Sequence, residues 1–156
     1  MQNSFLNSII KETGNKYATV ASNGIDGSDV VDWTDTGCFA LNALVSGSLY
    51  GGIPSNKITA LAGESATGKT YFALGVCNKF LRDNPDGNIL YFDTESAVTS
   101  EMISDRGIDP TKVGIFPVTT VEEFRHQAIR IVDSYNELTK DQKKPIMIVL
   151  DSLGML

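Results

Sequence analysis

Gly63-Glu64-Ser65-Ala66-Thr67-Gly68-Lys69-Thr70 reads G-x-x-x-x-G-K-T, the phosphate loop known as Walker A. Each fixed position has a task. Gly63 and Gly68 let the backbone curl so that successive N–H groups face phosphate oxygens. A helix opening near Gly68 adds its positive N-terminal end. Lys69 supplies a point charge between β- and γ-phosphates, and Thr70 a hydroxyl for Mg²⁺. Immediately upstream, the apolar run Ile58-Thr59-Ala60-Leu61-Ala62 predicts a strand entering the loop. Immediately downstream, Tyr71 to Leu81 predicts a helix, with Phe72, Val76, Phe80 and Leu81 apolar. Strand, loop and helix together are the setting in which this pattern binds a nucleoside triphosphate; a glycine-rich turn with no ligand is the alternative reading.

Further downstream, Asn84-Pro85-Asp86-Gly87-Asn88 breaks the chain, and Ile89-Leu90-Tyr91-Phe92 predicts a strand covered on both faces. Thr99 to Arg106 predicts a short helix ended by Gly107, and Val113 to Phe116 a third strand stopped by Pro117. Thr120-Val121-Glu122-Glu123 is a capping-box start. The helix it opens runs to about Leu138, with Phe124, Ala128, Ile131, Val132 and Tyr135 on one stripe. After Lys143-Lys144-Pro145 comes the most apolar strand, Ile146 to Leu150. Upstream of the loop, residues 3–12 carry Phe5, Leu6, Ile9 and Ile10 at helical spacing, with Gly14 as the stop. Residues 21–29, with Gly24 and Gly27, read as a linker. Asp35 to Val45 predicts a second helix, capped by Asp35 or Thr36, with Phe39, Leu41, Leu44 and Val45 as its core face and Gly47 as its end. Tyr50 to Ser55 reads as a turn. The alternation of strands and helices predicts an α/β protein with a four-stranded parallel sheet and right-handed crossovers.

The 156 residues fit one domain, and the 42% hydrophobic and 21% charged content is that of an ordinary globular chain. A net charge of −6 argues against a surface that coats nucleic acid, so any DNA contact must come from local patches or other segments. Cys38 and Cys77 lack metal-ligand spacing and read as small buried apolar residues in a reducing, cytoplasmic setting. No apolar run approaches 18 residues, so no membrane span is predicted.

Two acidic positions complete the chemistry. The strand 146–150 ends in Asp151, the pattern of a Walker B carboxylate, placed at the carboxyl edge of a sheet where it holds Mg²⁺ through water. A capping or turn aspartate is the other reading. Asp93-Thr94-Glu95 follows the strand 89–92, and two acids there are expected to point into the same crevice; Glu95 is the candidate base for an attacking water. A solvated acidic turn is its alternative. His126, the single histidine, reads as a surface residue beside Arg125 and Arg130. Tyr71 lies next to the nucleotide loop, with packing as the simplest use of its ring; packing is also the default for Trp33 and Tyr50.

Leu41-Asn42-Ala43-Leu44, Gly47, Gly51-Gly52-Ile53-Pro54 and Lys57-Ile58-Thr59, followed by the phosphate loop, together resemble the core of the RecA recombinase family. Tyr91 to Ala97 is similar to that family's strand ending in its catalytic glutamate, and Ile148 to Gly154 to its Walker B. Within the family, Ser46 to Gly52 and Asp151-Ser152-Leu153-Gly154 resemble the UvsX-like branch of tailed phages. The resemblance implies a RecA-like P-loop fold: a parallel sheet with flanking helices, preceded by an N-terminal helix. Residues 1–32 would dock on a neighbouring subunit, and 33–156 would form part of the ATPase core. It implies ATP and Mg²⁺ as cofactors, Gly63 to Thr70 with Tyr71 and Met102 around the nucleotide, Thr70 and Asp151 at the metal, and Lys69 and Glu95 in catalysis. Met102 departs from the pattern. It stands seven residues after Glu95, where bacterial RecA stacks a tyrosine on adenine, so a thioether would cover the base.

The same resemblance implies that the C-terminal half of the core is absent, including the DNA loops, the γ-phosphate sensor and a strand lying between the two Walker strands. The expectation is a fragment, unstable alone, prone to aggregate and not stimulated by DNA. Exposing several apolar side chains at ~1.5–3 kcal/mol each costs about as much as a domain's whole stability. The implied function is ATP binding within a DNA-dependent ATPase that pairs and exchanges strands on single-stranded DNA in recombination and repair. Its implied partners are single-stranded DNA, copies of itself in a helical filament, recombination mediators and single-strand-binding proteins. The implied setting is the cytoplasm, that of the host if phage-encoded. The alternatives are another RecA-superfamily motor, such as a helicase, and a truncated regulator that binds ATP without catalysis.

Overall fold

The computed structural model describes residues 4–15, 17–25 and 29–156. Its central layer is a parallel sheet of three strands, β3 (Asn88–Asp93), β4 (Val113–Pro117) and β5 (Ile146–Asp151), in the order β4-β3-β5. The middle strand is the apolar run expected to be covered twice, and it is. Side chains alternate across a strand. Ile89 and Tyr91 join a core with Leu74, Cys77, Phe80 and Leu81 of α3 (Lys69–Asp83), Ile103 of α4 (Ser100–Asp105) and Ile108. On the opposite face, Phe92 packs on Phe116 with centroids 5.1 Å apart. It also meets the edge of Phe124 of α5 (Val121–Glu137) at 4.9 Å.

Local signals placed several helix ends. Thr120 Oγ1 accepts from the Glu123 N–H at 3.2 Å, and Glu123 Oε2 accepts the Thr119 N–H at 2.9 Å, so the return bond of the box goes one residue further back than expected. The Thr99 hydroxyl caps α4 by accepting from Met102 N–H. α1 (Ser4–Thr13) ends at Gly14, and α2 (Phe39–Ser46) at Gly47. Asn3, at the start of the expected first helix, and Gly27, within the expected linker, lie outside the described residues.

Four expectations are corrected. Residues 58–62 form no strand: Ile58 is fully exposed, and the segment pairs with neither β5 nor any other strand among the described residues. Apolar, β-branched composition suits a strand, but a strand exists only where a neighbour takes its N–H and C=O groups. The parallel sheet therefore has three strands rather than four. The stretch read as a turn instead contributes β2 (Ile53–Pro54), paired antiparallel to β1 (Trp33–Thr34). Third, α2 begins at Phe39, and neither Asp35 nor Thr36 caps it. Phe39, Leu44 and Val45 of its expected core face are exposed, Leu44 at 83%, while Leu41 is half-buried and Asn42 is buried. The reason is polar. Asn42 Oδ1 accepts from the Thr36 N–H and hydroxyl, and its Nδ2 donates to Asp35 Oδ1 and the Leu49 carbonyl. One amide satisfies the segments on both sides of the helix, which fixes the face that turns inward. Fourth, Cys38 is exposed; Cys77 is buried as expected, and burial pushes its thiol up to about 12.

Two kinds of stability prediction arise here. A Cβ on Gly52, at φ +139°, would sit 2.1 Å from the Thr34 carbonyl oxygen. Gly52→Ala is therefore expected to cost more than about 1 kcal/mol, read as a lower urea midpoint. A Cβ on Gly75 in α3 meets nothing within 4 Å, so Gly75→Ala should gain about 0.5–1 kcal/mol in the same assay. The second concerns pH. The Asn42 amide, then the Lys79 ammonium at 2.9 Å and the Gly37 N–H, hold the Asp35 carboxyl at about 2. A carboxyl depressed on folding stabilises the fold above its ordinary pKa near 3.8, and that contribution is lost as pH falls toward 2. Asp35→Asn should flatten the fall in stability between about pH 4 and 2; an unchanged slope there would assign the fall to other acids.

Candidate functional site

The site gathers at the carboxyl ends of β3 and β5, where Asp93 stands opposite Asp151 in register. Tyr91 lies opposite Val149, so alternation places Val149 and Asp151 on the face that carries Tyr91, the face covered by α3. Thr70 lies in the first turn of that helix. Its hydroxyl donates to Asp151 Oδ2 at 2.6 Å, joining the loop and the strand end across 81 residues of sequence.

The phosphate loop itself is irregular and exposed from Gly63 to Gly68. The turn is made by Ala66 (φ +61°) and Gly68 (φ +90°), the second being the residue just before α3, where a side chain would strain the backbone. Glu64, Ser65 and Thr67 line it, and the Thr67 hydroxyl donates to the Glu64 carbonyl at 2.8 Å. Lys69 folds back over the loop: Nζ donates to the carbonyls of Gly63 at 3.0 Å and Glu64 at 2.7 Å. The ammonium thus stands over the loop opening, on two weak acceptors that an anion would outcompete.

Asp93 corrects the expectation of two acids in one crevice. It is buried, and its oxygens accept the N–H groups of Glu95, Ala97 and Val98 at 3.1–3.3 Å. It is spent on its own loop. Glu95 remains exposed, and its Oε1 accepts from the Ser152 hydroxyl at 3.0 Å. A reciprocal pair of bonds between Thr94 Oγ1 and the backbone of Ser152 ties the two strand ends together. The structure therefore brings Thr70, Asp151 and Glu95 to one end of one sheet.

Two flanking candidates sit differently. Tyr71 is half exposed, with the Arg106 guanidinium 4.3 Å above its ring. Met102 is partly buried against the core around Ile103. His126 is exposed, as expected.

Sequence reasoning missed Tyr91, Thr94 and Ser152 as site neighbours. Tyr91 is fully buried, yet its hydroxyl reaches Asp151 Oδ2 at 2.7 Å. Burial, reinforced by the hydrogen bond and negative charge of Asp151, raises its ionisation well above the ordinary phenol value. The signal lies in the register: a tyrosine two residues before a strand-end acid lies on the same face as an acid paired with that end.

Oxygen donors from a hydroxyl and a carboxylate suit a hard cation. Among the described residues no group of three or more His, Cys, Asp or Glu could hold a metal ion. A hydroxyl and a carboxylate fit an Mg²⁺ that takes its other ligands from phosphate and water, as that ion does at nucleotide sites. No helix among the described residues is long and apolar enough to cross a membrane.

A parallel α/β sheet that brings a G-x-x-x-x-G-K-T loop against a strand-end aspartate defines the class. Comparison with known proteins gives the family. No family model matches the chain. Over 116 residues, 74% of this chain and 28% of the relative, it is 31% identical to the "Recombination and repair protein" of Enterobacteria phage T4. Over 106 residues, 68% of this chain and 29% of the relative, it is 33% identical to the "Protein RecA" of Malacoplasma penetrans (strain HF-2). The chain belongs to the RecA family and corresponds to the N-terminal part of it. It spans under a third of the length of the curated relatives it matches.

Proposed function

We propose that this chain is the ATP-binding part of a DNA-dependent ATPase that promotes homologous pairing and strand exchange on single-stranded DNA. The observation that carries this reading is the 2.6 Å bond from Thr70 to Asp151, which brings the two nucleotide motifs of the sequence into one site. The relatives' names, one for recombination and repair and one for RecA, support the biological setting.

Residues 63–70 would wrap the triphosphate, with Lys69 exchanging its two carbonyl partners for β- and γ-phosphate oxygens. Thr70 would hold Mg²⁺ directly and Asp151 through water. When bound, the ion neutralises charge on the β- and γ-phosphate oxygens. A hydroxyl has one proton and two lone pairs; by donating to Asp151, Thr70 leaves its lone pairs for the cation. Glu95 would take a proton from the water that attacks the γ-phosphorus, giving ADP and phosphate. The Ser152 hydroxyl orients Glu95 from the neighbouring strand.

Met102 and Tyr71 would border the base. Residues 1–32 would dock on a neighbouring subunit of a helical filament; α1 buries no residue and exposes Phe5 and Ile9, which suits that use. Residues 33–156 would form the partial ATPase core. Single-stranded DNA would be met through segments other than this chain, since the chain's own net charge is −6; mediator proteins and single-strand-binding proteins would be partners by family analogy. The test is ATP hydrolysis by the full protein with and without single-stranded DNA. Stimulation by DNA is expected. Hydrolysis indifferent to DNA would favour another motor of the superfamily, and nucleotide binding without hydrolysis a regulator.

A further inference from the structure

We propose that Tyr91 is a positioning residue for the metal site, holding the Asp151 carboxylate in place so that it in turn orients the Thr70 hydroxyl. The inference rests on the proposed nucleotide site and deepens it.

Two observations carry it. The first is convergence. Asp151 Oδ2 accepts two hydroxyls at once, from Thr70 at 2.6 Å and from Tyr91 at 2.7 Å. The second is rigidity. The Tyr91 ring has no solvent exposure and is packed among Leu74, Cys77, Ile89 and Ile103, on the central strand of the sheet. A donor anchored in a close-packed core fixes its acceptor far better than a surface side chain does, because interior side chains sit in single rotamers.

A plain packing role needs none of this. A phenylalanine would fill the same space without carrying a buried hydroxyl, and a buried hydroxyl is retained at no cost only where it has a partner. Here the partner is the acid at the end of the next strand. With Oδ2 pinned from the core side, the carboxylate presents one orientation to Thr70. Without the phenol, Asp151 keeps a single hydroxyl on that oxygen, and that hydroxyl belongs to an exposed loop's first helical turn. Residues that orient a metal-binding group through a hydrogen bond typically matter by 10–100-fold in metal affinity or activity.

The test is a Mg²⁺ titration of binding by the full protein, read with a fluorescent N-methylanthraniloyl ATP. Tyr91→Phe, Asp151→Asn and the parent protein are measured alongside their melting temperatures. The expected result for Tyr91→Phe is a half-saturating Mg²⁺ concentration raised about tenfold, with metal-free nucleotide affinity unchanged. Asp151→Asn should raise it at least as far. Two results would overturn the inference alone: a Tyr91→Phe curve superimposed on the parent's while Asp151→Asn shifts, or a Tyr91→Phe loss of affinity equal with and without Mg²⁺ and accompanied by a lower melting temperature. If Asp151→Asn also leaves the Mg²⁺ dependence untouched, the nucleotide-site reading falls, and the inference with it.

Discussion

Lys69→Ala is expected to lower ATP affinity on the order of a hundredfold or more. The loss corresponds to two charge-assisted hydrogen bonds of about 1.5 kcal/mol each, with every 1.4 kcal/mol worth a factor of ten. The fold should survive. Among the described residues, Lys69 Nζ hydrogen-bonds two carbonyls of its own exposed loop, so its removal leaves no buried partner unsatisfied there. Calorimetric titration of the full protein with ATP measures the affinity, and a urea midpoint within error of the parent's shows that the loss is local. Unchanged affinity in a folded variant would mean that the phosphate loop does not bind phosphate here.

Glu95→Gln should leave ATP binding intact and slow hydrolysis by about 10²–10⁴, the usual contribution of a general base. The amide keeps the side chain's size and can still accept from the Ser152 hydroxyl, so the loop geometry is preserved. What it loses is the basic oxygen. The measurement is the single-turnover hydrolysis rate at saturating ATP. Parental rates would make Glu95 a bystander and place the base elsewhere. Asp93 would be a poor substitute, since both of its oxygens already accept backbone N–H groups of its own loop.

Much of the fold was legible because its signals are local. Thr99 and Thr120 cap helices with their own hydroxyls, and an uninterrupted apolar run marked β3 as a strand covered on both faces. The segment 58–62 failed for the converse reason. Its composition is that of a strand, but pairing is a property of two segments, and composition reports on one. The inward face of α2 was misread because apolar periodicity was followed where a polar tie decides. Asn42 gathers Thr36, Asp35 and Leu49, and three of the apolar residues named as the core face, Phe39, Leu44 and Val45, are exposed instead. At the candidate site, motif spacing pointed to Lys69, Thr70, Glu95 and Asp151 by type. The contacts that organise them were illegible without register. Only the pairing of Asp93 with Asp151 shows that Tyr91 faces the strand-end acid and that Ser152 reaches Glu95.

The meeting of Thr70 and Asp151 is tested most directly by the Mg²⁺ dependence of ATP binding in Thr70→Ala, measured by calorimetry on the full protein beside the parent. In the parent, ATP should bind saturably and more tightly with Mg²⁺ than without it. In Thr70→Ala, affinity in the absence of Mg²⁺ should match the parent's, and the gain on adding Mg²⁺ should largely disappear. A parent indifferent to Mg²⁺, or a variant that keeps the parent's full gain, would contradict the assignment of these two residues to a metal–nucleotide site.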